Sequence, residues 1–531
     1  MILDKDLQSI QQSRELINKA FEAQQEFKHF SQDDVNKIVK AMADAGYAAS
    51  ERLAKMAVEE SGFGKWEDKL VKNQFGTKNV YDSIKNLKTV GIIGEEANGK
   101  VLKIAVPMGV VAALIPSTNP TSTAMFKAII SLKGRNSIVA SPHPRTQKCT
   151  LESLKILSEA AESAGAPKGL IQCLSEPTIE GTDALMKNKK VAVILATGSN
   201  PMVKAAYSSG TPAYGVGSGN VPAFIERTAN YEKAVKDILS GTTFDNGTLC
   251  SSEQAIIADA PIDSDIRKEV VAQGGYFINA EEKAKLAKAI QSNFRINPEI
   301  VGQCADFIAN YAGFTVPQNT KVLIAECYEV GKSEPLSMEK LSPILAYYTV
   351  DGWLEGCHKC IDLLNFGGIG HTMVIHSNDQ PIIMKFALEK PSFRVLVNTV
   401  ASLGAVGYTT ALAPSMTLGP GTWGGSIISE NVTAKHLINV KSLAFETTPI
   451  NEGKSVSQFD AVKTRGTGDA FMKEIEERLK ARAGNPPLKD SYEYNSRTQK
   501  EVNDHPKPKG KVSFGSGITE DEILKIIDEF N

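Results

Sequence analysis

The sequence lacks the features that would place the chain in a membrane or outside the cell. Its 531 residues contain only seven cysteines, an odd and widely scattered set that does not suit a disulfide framework. The longest apolar runs, such as VAVILA, are too short to span a bilayer, and the opening MILDKD lacks the apolar segment of a secretion signal. These absences predict a cytoplasmic protein that does not enter a membrane.

The chain also lacks an excess of charge of either sign. Its 59 lysine and arginine residues nearly balance its 61 aspartate and glutamate residues, so no basic field favours nucleic acid as a partner. A composition of 42% hydrophobic and 23% charged residues is typical of a globular protein, and the length allows two or three domains. Function must therefore be sought in individual sites.

Short apolar strands alternate with helices from residue 109 to residue 216. The predicted strands are 109–115, 137–141, 169–174, 191–197 and 211–216. Such an alternation predicts an α/β fold with a doubly wound parallel sheet, whose ligands bind beyond the carboxyl ends of the strands. Those ends are 115–119, 141–145, 197–199 and 215–220.

The flanking segments have different patterns. The first 85 residues show helical spacing of apolar residues, and two apolar runs surround Asn98-Gly99, which predicts a hairpin at 90–106 that could pair with another subunit. A second α/β stretch occupies 226–435, and a last strand is predicted at 437–445. Beyond Thr447 the composition turns to that of a linker.

Three stretches are candidate functional sites, and each could instead have a purely structural role. Cys250 lies in DNGTLCSSEQ, whose small polar residues favour a solvated turn over a packed core, although most free thiols are buried. Thr197-Gly-Ser199 could present helix-terminal N–H groups to a pyrophosphate, or could be a simple tight turn. Cys357 and Cys360 have the spacing of a metal or redox pair, but Cys357 lies on a helical apolar stripe with Trp353, Leu354, Ile361 and Leu364, so they are interpreted as part of a core helix.

Six stretches together resemble the aldehyde dehydrogenase superfamily. They are IPSTNP (115–120), TGS (197–199), GVGSGN (215–220), DNGTLCSSEQ (245–254), EKLSP (339–343) and FGGIGHT (366–372). More narrowly, the chain is similar to the CoA-acylating branch, including the propionaldehyde and acetaldehyde dehydrogenases of bacterial microcompartments. The resemblance runs in order over about residues 1–445.

The resemblance implies a doubly wound cofactor domain, an α/β catalytic domain and an oligomerisation element built on the hairpin. The implied divisions are an NAD- and CoA-binding domain at 1–89 and 107–225, an oligomerisation element at 90–106 and 436–446, a catalytic domain at 226–435, an extension and linker at 447–517, and a helix at 518–531. A homodimer or homotetramer is expected from this organisation.

Carried over residue by residue, the resemblance makes Cys250 the nucleophile and Asn119 a donor of the oxyanion hole, with the N–H of Cys250 as the second donor. His371 matches the acylating branch without a defined role. The residues implied to hold NAD are Ile115, Pro116, Ser117, Thr118, Ser141, Pro142, His143, Thr197, Gly198, Ser199, Gly217, Glu339 and Leu341. No metal is implied.

Two departures from the hydrolytic relatives narrow the reaction. Val216 stands where those enzymes carry a general-base glutamate, so the thioester should persist until CoA takes the acyl group. Hydrolytic relatives bind the adenosine ribose with a lysine, and Ser141 stands at that position here. The choice between NAD and NADP is therefore left open. The expected reaction is oxidation of a short-chain aldehyde with NAD and CoA. A hydrolytic dehydrogenase, an acyl-phosphate reductase and an inactive scaffold are the alternatives.

The C-terminal tail, ITEDEILKIIDEFN at 518–531, begins with a capping box at Thr519 and Glu522. It presents an apolar face that includes Ile523, Ile527 and Phe530. Such a short helix needs a partner surface, which is either its own core or another protein. On this enzyme class the tail resembles an encapsulation peptide, which predicts residence inside a bacterial microcompartment bound to its shell.

Overall fold

Parallel and antiparallel sheets form the framework of the protein. The computed structural model describes residues 4–292, 295–448 and 450. Its strands are β1 (Gly91–Glu96), β2 (Val101–Pro107), β3 (Val110–Ile115), β4 (Ser137–Pro142), β5 (Ile171–Cys173), β6 (Val191–Thr197), β7 (Ala213–Val216), β8 (Val221–Ile225), β9 (Glu253–Asp259), β10 (Gly275–Phe277), β11 (Gln291–Ser292), β12 (Arg295–Ile296), β13 (Val322–Glu326), β14 (Ile344–Val350), β15 (Met373–His376), β16 (Val395–Val397) and β17 (Ile438–Ala444). The predicted strands at 109–115, 137–141, 169–174, 191–197 and 211–216 are all present, within a few residues of the expected bounds.

Several helices begin at a residue whose side chain caps the free N–H groups of the first turn. At the start of the second helix, the Ser31 hydroxyl accepts from the Asp34 N–H, and the Asp34 carboxylate accepts from the Ser31 N–H. The helices are α1 (Lys5–Phe27), α2 (Gln32–Ala48), α3 (Ser50–Ser61), α4 (Trp66–Gln74), α5 (Val80–Ile84), α6 (Pro120–Lys133), α7 (Gln147–Ser163), α8 (Ile179–Met186), α9 (Asn200–Ser208), α10 (Tyr231–Thr243), α11 (Asp263–Ala272), α12 (Ala280–Ala289), α13 (Ala305–Ala312), α14 (Gly352–Phe366), α15 (Gln380–Glu389) and α16 (Ala401–Ala405). Phe75–Asn79 forms a π-helical turn between α4 and α5.

The first parallel sheet has five strands in the order β5-β4-β3-β6-β7. Every residue of β3 and β4 is buried, and alternate residues of β3 pack into two different hydrophobic clusters. Helices therefore cover both faces, which is why these strands read as continuous apolar runs rather than as an alternation. The predicted doubly wound α/β architecture is confirmed.

The second parallel sheet has seven strands in the order β10-β13-β14-β9-β8-β15-β16. Strand β8 lies inside it, paired with β9 on one side and β15 on the other. The expected boundary at residue 225 is therefore one strand too late, because residues 221–225 belong to this sheet and not to the cofactor sheet. The chain crosses between the two sheets at 217–220.

A third, antiparallel sheet joins β1, β2 and β17. The predicted turn of the β1–β2 hairpin is present, and Ala97, Asn98 and Gly99 all have positive φ, a conformation that Asn and Gly adopt with little strain. Strand β17 pairs with β2 along its whole length, from Ile438 opposite Pro107 to Ala444 opposite Val101. The hairpin and the last strand are thus one element, and its role in oligomerisation stays a prediction.

Helix α14 contains Cys357 and Cys360, and both side chains are buried. Their interpretation as core residues is confirmed. Leu354 was expected on the same buried stripe, but its side chain is 52% exposed. The stripe is narrower than the sequence pattern suggested, because it is centred on Cys357, Cys360 and Leu364.

Within residues 4–292 and 295–448, no helix has both the length and the apolar character needed to cross a membrane. Almost all of the predicted extension at 447–517, and the whole C-terminal tail at 518–531, lie outside the described residues.

Candidate active site

The candidate site is built from the loops that precede four neighbouring strands of the seven-stranded sheet. These loops are 338–343 before β14, 248–252 before β9, 217–220 before β8 and 367–372 before β15. Because β14, β9, β8 and β15 are consecutive and parallel, their preceding loops meet at one edge of the sheet. Glu339, Cys250, Gly217 and His371 are brought together in this way.

Cys250 is the accessible residue of an otherwise buried loop. Residues 245–249 and 251–254 are buried, whereas Cys250 itself is partly exposed. The expectation of a solvated turn is therefore wrong, because the polar side chains find partners inside the protein. Asn246 donates to the Gly302 carbonyl at 2.8 Å and the Ser251 hydroxyl to the Ser402 carbonyl at 3.1 Å.

The imidazole of His371 contacts the thiol of Cys250. Its Nε2 lies 3.2 Å from Sγ, and its Nδ1 lies 3.0 Å from the hydroxyl oxygen of Thr372. Burial, with a smaller effect of Arg394, lowers the pKa of His371 to about 3. Burial, reinforced by the Glu339 carboxylate, raises the pKa of the Cys250 thiol to about 12. The pair is thus a neutral thiol beside a neutral base.

The amide of Asn119 reaches the loop that carries Cys250. Asn119 follows β3 and precedes α6, and its Nδ2 donates to the Thr248 carbonyl at 3.2 Å and to the Thr118 hydroxyl at 3.1 Å. Its Oδ1 accepts from the Lys72 ammonium at 2.7 Å. The carboxyl edge of the first sheet therefore meets the amino edge of the second at this amide.

The residues expected to hold NAD lie along the carboxyl edge of the five-stranded sheet. In the strand registers, Ile115 is opposite Pro142 and Thr197 is opposite Val216. The structure therefore places four groups at one edge: Ile115, Pro116, Ser117 and Thr118 at the end of β3, Ser141, Pro142 and His143 at the end of β4, Thr197, Gly198 and Ser199 at the end of β6, and Gly217 after β7. The spatial grouping that the strand pattern predicted is present.

The donor set at this edge suits a dinucleotide. Ser199 is the N-terminal cap of α9, and its side chain does not accept from the helix, so backbone N–H groups remain available for a pyrophosphate. On the outer side of β3, the Ser141 hydroxyl lies 2.7 Å from that of Thr182, and His143 Nδ1 accepts from the Arg145 N–H at 3.1 Å. The Ser141 and His143 side chains are thus held by neutral partners, which is consistent with an adenosine site that has no lysine at this position.

Glu339 stands between the cofactor edge and Cys250. Its Oε1 accepts from the Gly219 N–H at 2.9 Å, and burial raises its pKa to about 7. A side chain at Gly219 could not fit, since a Cβ there would lie 2.1 Å from the Cys250 carbonyl oxygen. Leu341, in the same loop, has φ 47° and accepts from the Gly302 N–H at 2.9 Å. The glycine-rich crossing between the sheets thus passes directly beside the Cys250 backbone and the His371 ring.

Comparison with known proteins decides the family. A model of the aldehyde dehydrogenase family matches residues 5–324. The chain belongs to this family. The family assignment made from the six sequence stretches is confirmed.

Two similar proteins match nearly the same share of this chain but different shares of their own length. The bifunctional aldehyde-alcohol dehydrogenase of Escherichia coli is 45% identical over 434 residues, which are 81% of this chain and 49% of that protein. The chain thus spans about half the length of the aldehyde-alcohol dehydrogenases that it matches. An acetylating aldehyde dehydrogenase from Geobacillus thermoglucosidasius is 50% identical with a TM-score of 0.84, covering 85% of this chain and 100% of that one.

Two propionaldehyde dehydrogenases are more distant structural neighbours. The enzyme from the fucose utilisation microcompartment of Clostridium phytofermentans is 29% identical with a TM-score of 0.74, covering 82% of this chain and 97% of that one. The enzyme from Rhodopseudomonas palustris, solved with bound CoA and an acylated cysteine, is 28% identical with a TM-score of 0.73. It covers 82% of this chain and 97% of that one.

Sequence reasoning missed a buried ion cluster in this family member. Asp245, five residues before Cys250, is fully buried and paired with Lys69 at 2.8 Å and Lys72 at 2.5 Å. Asp245 and Asn246 both have positive φ, and the carboxylate leaves no room for a side chain at Gly64. The available signals were an aspartate inside the cysteine stretch and two lysines three residues apart on a helix.

Sequence reasoning also gave no residues for the pocket beside the cysteine loop. A small apolar pocket lies beside Leu249, the residue before Cys250. Its lining residues are Val71, Lys72, Phe75, Phe244, Leu249, Leu403, Val406, Tyr408 and Met416. They come from α4, from the loop before β9 and from 403–416, so no single stretch of sequence reveals them.

Proposed function

We propose that this family member is a CoA-acylating aldehyde dehydrogenase. It oxidises a short-chain aldehyde such as acetaldehyde or propionaldehyde with NAD, and transfers the acyl group from Cys250 to CoA. The observation that carries the proposal is the accessible Cys250 thiol in contact with His371, beside Asn119. The acetylating relative and the acylated cysteine of the R. palustris enzyme support the same reaction.

The first step is addition of Cys250 Sγ to the carbonyl carbon of the aldehyde. A carbon–sulfur bond forms, the carbon–oxygen double bond becomes single, and the thiol proton moves to Nε2 of His371. Negative charge collects on the former carbonyl oxygen. The Asn119 amide and the Cys250 N–H stabilise that charge, which is the usual source of most of the rate enhancement in such steps.

The oxidation step converts this adduct into a thioester on Cys250. NAD, when bound, supplies the acceptor for the hydrogen and its electron pair leaving the carbon. The chain's own contribution is positional: the N-terminus of α9 would hold the pyrophosphate, and the Glu339 carboxylate would hold the nicotinamide ribose. The loop 217–220 connects the two parallel sheets, and so holds the cofactor edge of the first sheet close to Cys250 at the second.

The last step is transfer of the acyl group to the thiol of CoA. His371 first releases to solvent the proton that it took from Cys250. The CoA sulfur then attacks the thioester carbon, its proton passes to Nε2 of His371, and that proton returns to Cys250 as the Cys250 sulfur leaves. Hydrolysis would need a base for water, but Val216, at the position of that base in hydrolytic relatives, is apolar and 1% exposed. The Glu339 carboxylate, which helps to raise the pKa of the thiol, accepts from the Gly219 N–H at 2.9 Å.

The apolar pocket beside Leu249 supports an uncharged substrate. The Lys72 side chain lines it, but its ammonium is paired with Asp245. A carboxylate-bearing aldehyde would therefore have no free cation to meet it among the described lining residues.

NADH formation from acetaldehyde, propionaldehyde and butyraldehyde, each with and without CoA, tests the reaction. We expect sustained turnover only with CoA, with acyl-CoA as the product. Sustained turnover without CoA and with carboxylic acid as the product would favour the hydrolytic alternative. An absence of NADH under all of these conditions would favour the inactive-scaffold alternative.

We further propose that the enzyme works inside a bacterial microcompartment as a homodimer or homotetramer. The capped amphipathic pattern at 518–531 and the microcompartment origin of the C. phytofermentans neighbour support encapsulation. The antiparallel sheet β1-β2-β17, with exposed Val440 and Leu443 on its last strand, supports assembly through that element.

A further inference from the structure

The buried Lys72 lies where it can decide the orientation of the Asn119 amide. The two ends of an asparagine amide have nearly the same shape, so their partners determine which end faces the reacting atoms. The ammonium of Lys72 can only donate, and it meets Oδ1 at 2.7 Å. The Thr248 carbonyl can only accept, and it meets Nδ2 at 3.2 Å. Both contacts turn the N–H₂ end toward the loop of Cys250.

Asp245 holds Lys72 in this place. The carboxylate Oδ2 accepts from Lys72, from Lys69 at 2.8 Å and from the Thr248 hydroxyl at 2.7 Å. Its Oδ1 accepts from the Lys65 N–H at 2.7 Å. Burial alone would raise the pKa of Asp245, but Lys72 and Lys69 hold it below its usual value. The carboxylate is therefore charged, and it fixes the lysine rigidly.

A second carboxylate, Asp68, accepts from the Asp245 N–H at 2.7 Å and helps to balance the two lysines, and Lys72 directs its own charge at the amide. An amide whose oxygen accepts from a cation has a more polarised N–H, because hydrogen bonds in a chain strengthen one another. Burial lowers the pKa of Lys72 to about 8 against the opposing effect of Asp245, so the ammonium is still largely protonated at neutral pH. A positive charge is thus held one hydrogen bond away from the amide that faces the reacting carbonyl.

We infer that Lys72, anchored by Asp245, is a positioning residue for the oxyanion hole, which orients and polarises the amide of Asn119. The inference rests on the proposed function, in which Asn119 stabilises the charge on the aldehyde oxygen. Lys72 itself does not touch the reacting atoms. Its effect passes through Asn119, and this distinguishes it from a lysine that only neutralises a buried aspartate.

A double-mutant cycle separates these roles. Lys72→Met should lower the rate of the first NADH turnover about 10- to 100-fold, less than the loss of the oxyanion donor itself. The KM values for NAD and CoA should stay within about threefold, since the hydrogen bonds of Lys72 go to Asn119, Asp245 and Thr248 and to none of the residues proposed to hold NAD. In an Asn119→Ala background the same change should cost less than about threefold, because its effect requires the amide. Equal losses in both backgrounds would overturn the inference.

Lys69→Met is the matched control. Lys69 is as buried as Lys72 and pairs with the same oxygen of Asp245, but it contacts the Thr118 carbonyl and not Asn119. We expect it to lower the thermal midpoint about as much as Lys72→Met does, with a much smaller effect on the first turnover. If the two lysine variants lose activity equally, the role of Lys72 is only structural. Lys72→Gln, which keeps a donor, replaces Lys72→Met in the cycle if the latter does not fold.

A crystal structure of Lys72→Met tests the inference without any assay. The Asn119 amide should rotate away from the Thr248 carbonyl, or should lose its single orientation. An amide that keeps its bond to Thr248 would overturn the inference even in an active enzyme. Failure of wild-type enzyme to form NADH would instead contradict the proposed function alone.

Discussion

Nε2 of His371 lies 3.2 Å from Sγ of Cys250, and burial favours the uncharged form of both groups. This arrangement differs from a thiolate–imidazolium ion pair, in which a charged histidine stabilises the nucleophile before the substrate arrives. Here the thiolate has to be generated as the carbon–sulfur bond forms, with the proton passing to His371. Before the aldehyde binds, the enzyme therefore protects its thiol from adventitious electrophiles.

The first prediction concerns the pH dependence of alkylation. Because the thiolate is the reactive form and the pKa of Cys250 is raised to about 12, its modification by iodoacetamide should quicken about tenfold per pH unit from about pH 7 to about pH 10. Peptide mapping follows Cys250 separately from the exposed Cys304. A rate that is already independent of pH in this range would show a preformed ion pair and contradict this description.

The second prediction concerns the two residues of the addition step. Cys250→Ala should abolish NADH formation, since no thioester can form. Asn119→Ala should lower the rate by about 10²- to 10³-fold, the usual effect of removing one oxyanion donor. Circular dichroism and gel filtration control for folding. Substantial CoA-dependent turnover by Cys250→Ala would move the nucleophile to another cysteine.

The third prediction follows from Val216. Without CoA, rapid mixing with aldehyde and NAD should give one equivalent of NADH per active site and then stop, leaving an acylated protein whose mass increase identifies the acyl group. Val216→Glu should convert part of that stalled enzyme into slow hydrolysis, because it supplies a carboxylate where hydrolytic relatives have their base. A wild-type enzyme that releases carboxylic acid as fast as it makes acyl-CoA would contradict this expectation.

The fourth prediction concerns Glu253, which is buried behind the cysteine loop and accepts from the Ala401 N–H at 2.6 Å. Burial raises its pKa to about 8, above the value of about 4.3 expected in the unfolded chain. The folded protein thus binds a proton that the unfolded chain has lost, so stability falls as pH rises from about 4.3 to 8. Each pH unit in that window removes up to about 1.4 kcal/mol.

Glu253→Gln should remove this pH-dependent loss. The thermal midpoint of the variant relative to the wild type should rise steadily between about pH 5 and about pH 8. Glu281→Gln on α12 is the control: its carboxylate is exposed, and its hydrogen bond from Lys285 lowers its pKa, so its difference from wild type should be flat in this range. A constant difference between Glu253→Gln and wild type over the same range would mean that Glu253 is charged in the folded protein.

The fifth prediction concerns the C-terminal tail. Residues 514–531 fused to a fluorescent protein should bring it into shells in cells that make them, and Ile527→Glu should prevent this by placing a charge on the apolar face. Lys525→Glu, on the polar face, is the matched control. Deletion of the tail should leave aldehyde oxidation intact. Diffuse fluorescence from the unmodified fusion would exclude encapsulation by this segment.

The local elements of the fold follow closely from the sequence. Strands such as β3 and β6 read as apolar runs because both faces are covered, and Asn98-Gly99 marks the hairpin turn because both residues tolerate positive φ. The cofactor edge could also be predicted, since parallel strands point their carboxyl ends in one direction. These inferences need only local patterns and a general rule of topology.

The partners of the site residues could not be predicted in the same way. His371 is 121 residues from Cys250, and the two meet only because β8, β9 and β15 are neighbours in the sheet. Periodicity does not determine strand order. The polar residues around Cys250 were misread for a related reason: Asp245 is buried because Lys69 and Lys72 arrive from a helix about 175 residues earlier in the chain.

The sheet made by β1, β2 and β17 cannot be completed until late in synthesis, because its third strand is far from the hairpin in the sequence. Lys103 and Ser442, which contact each other across β2 and β17, are 339 residues apart. At a translation rate of roughly 5 to 20 residues per second, the hairpin leaves the ribosome roughly 17 to 70 seconds before its third strand exists. During that interval β2 has an open edge that any extended segment can pair with. Nascent chains on one messenger are therefore at risk of exchanging this strand, and slow translation lengthens the exposure.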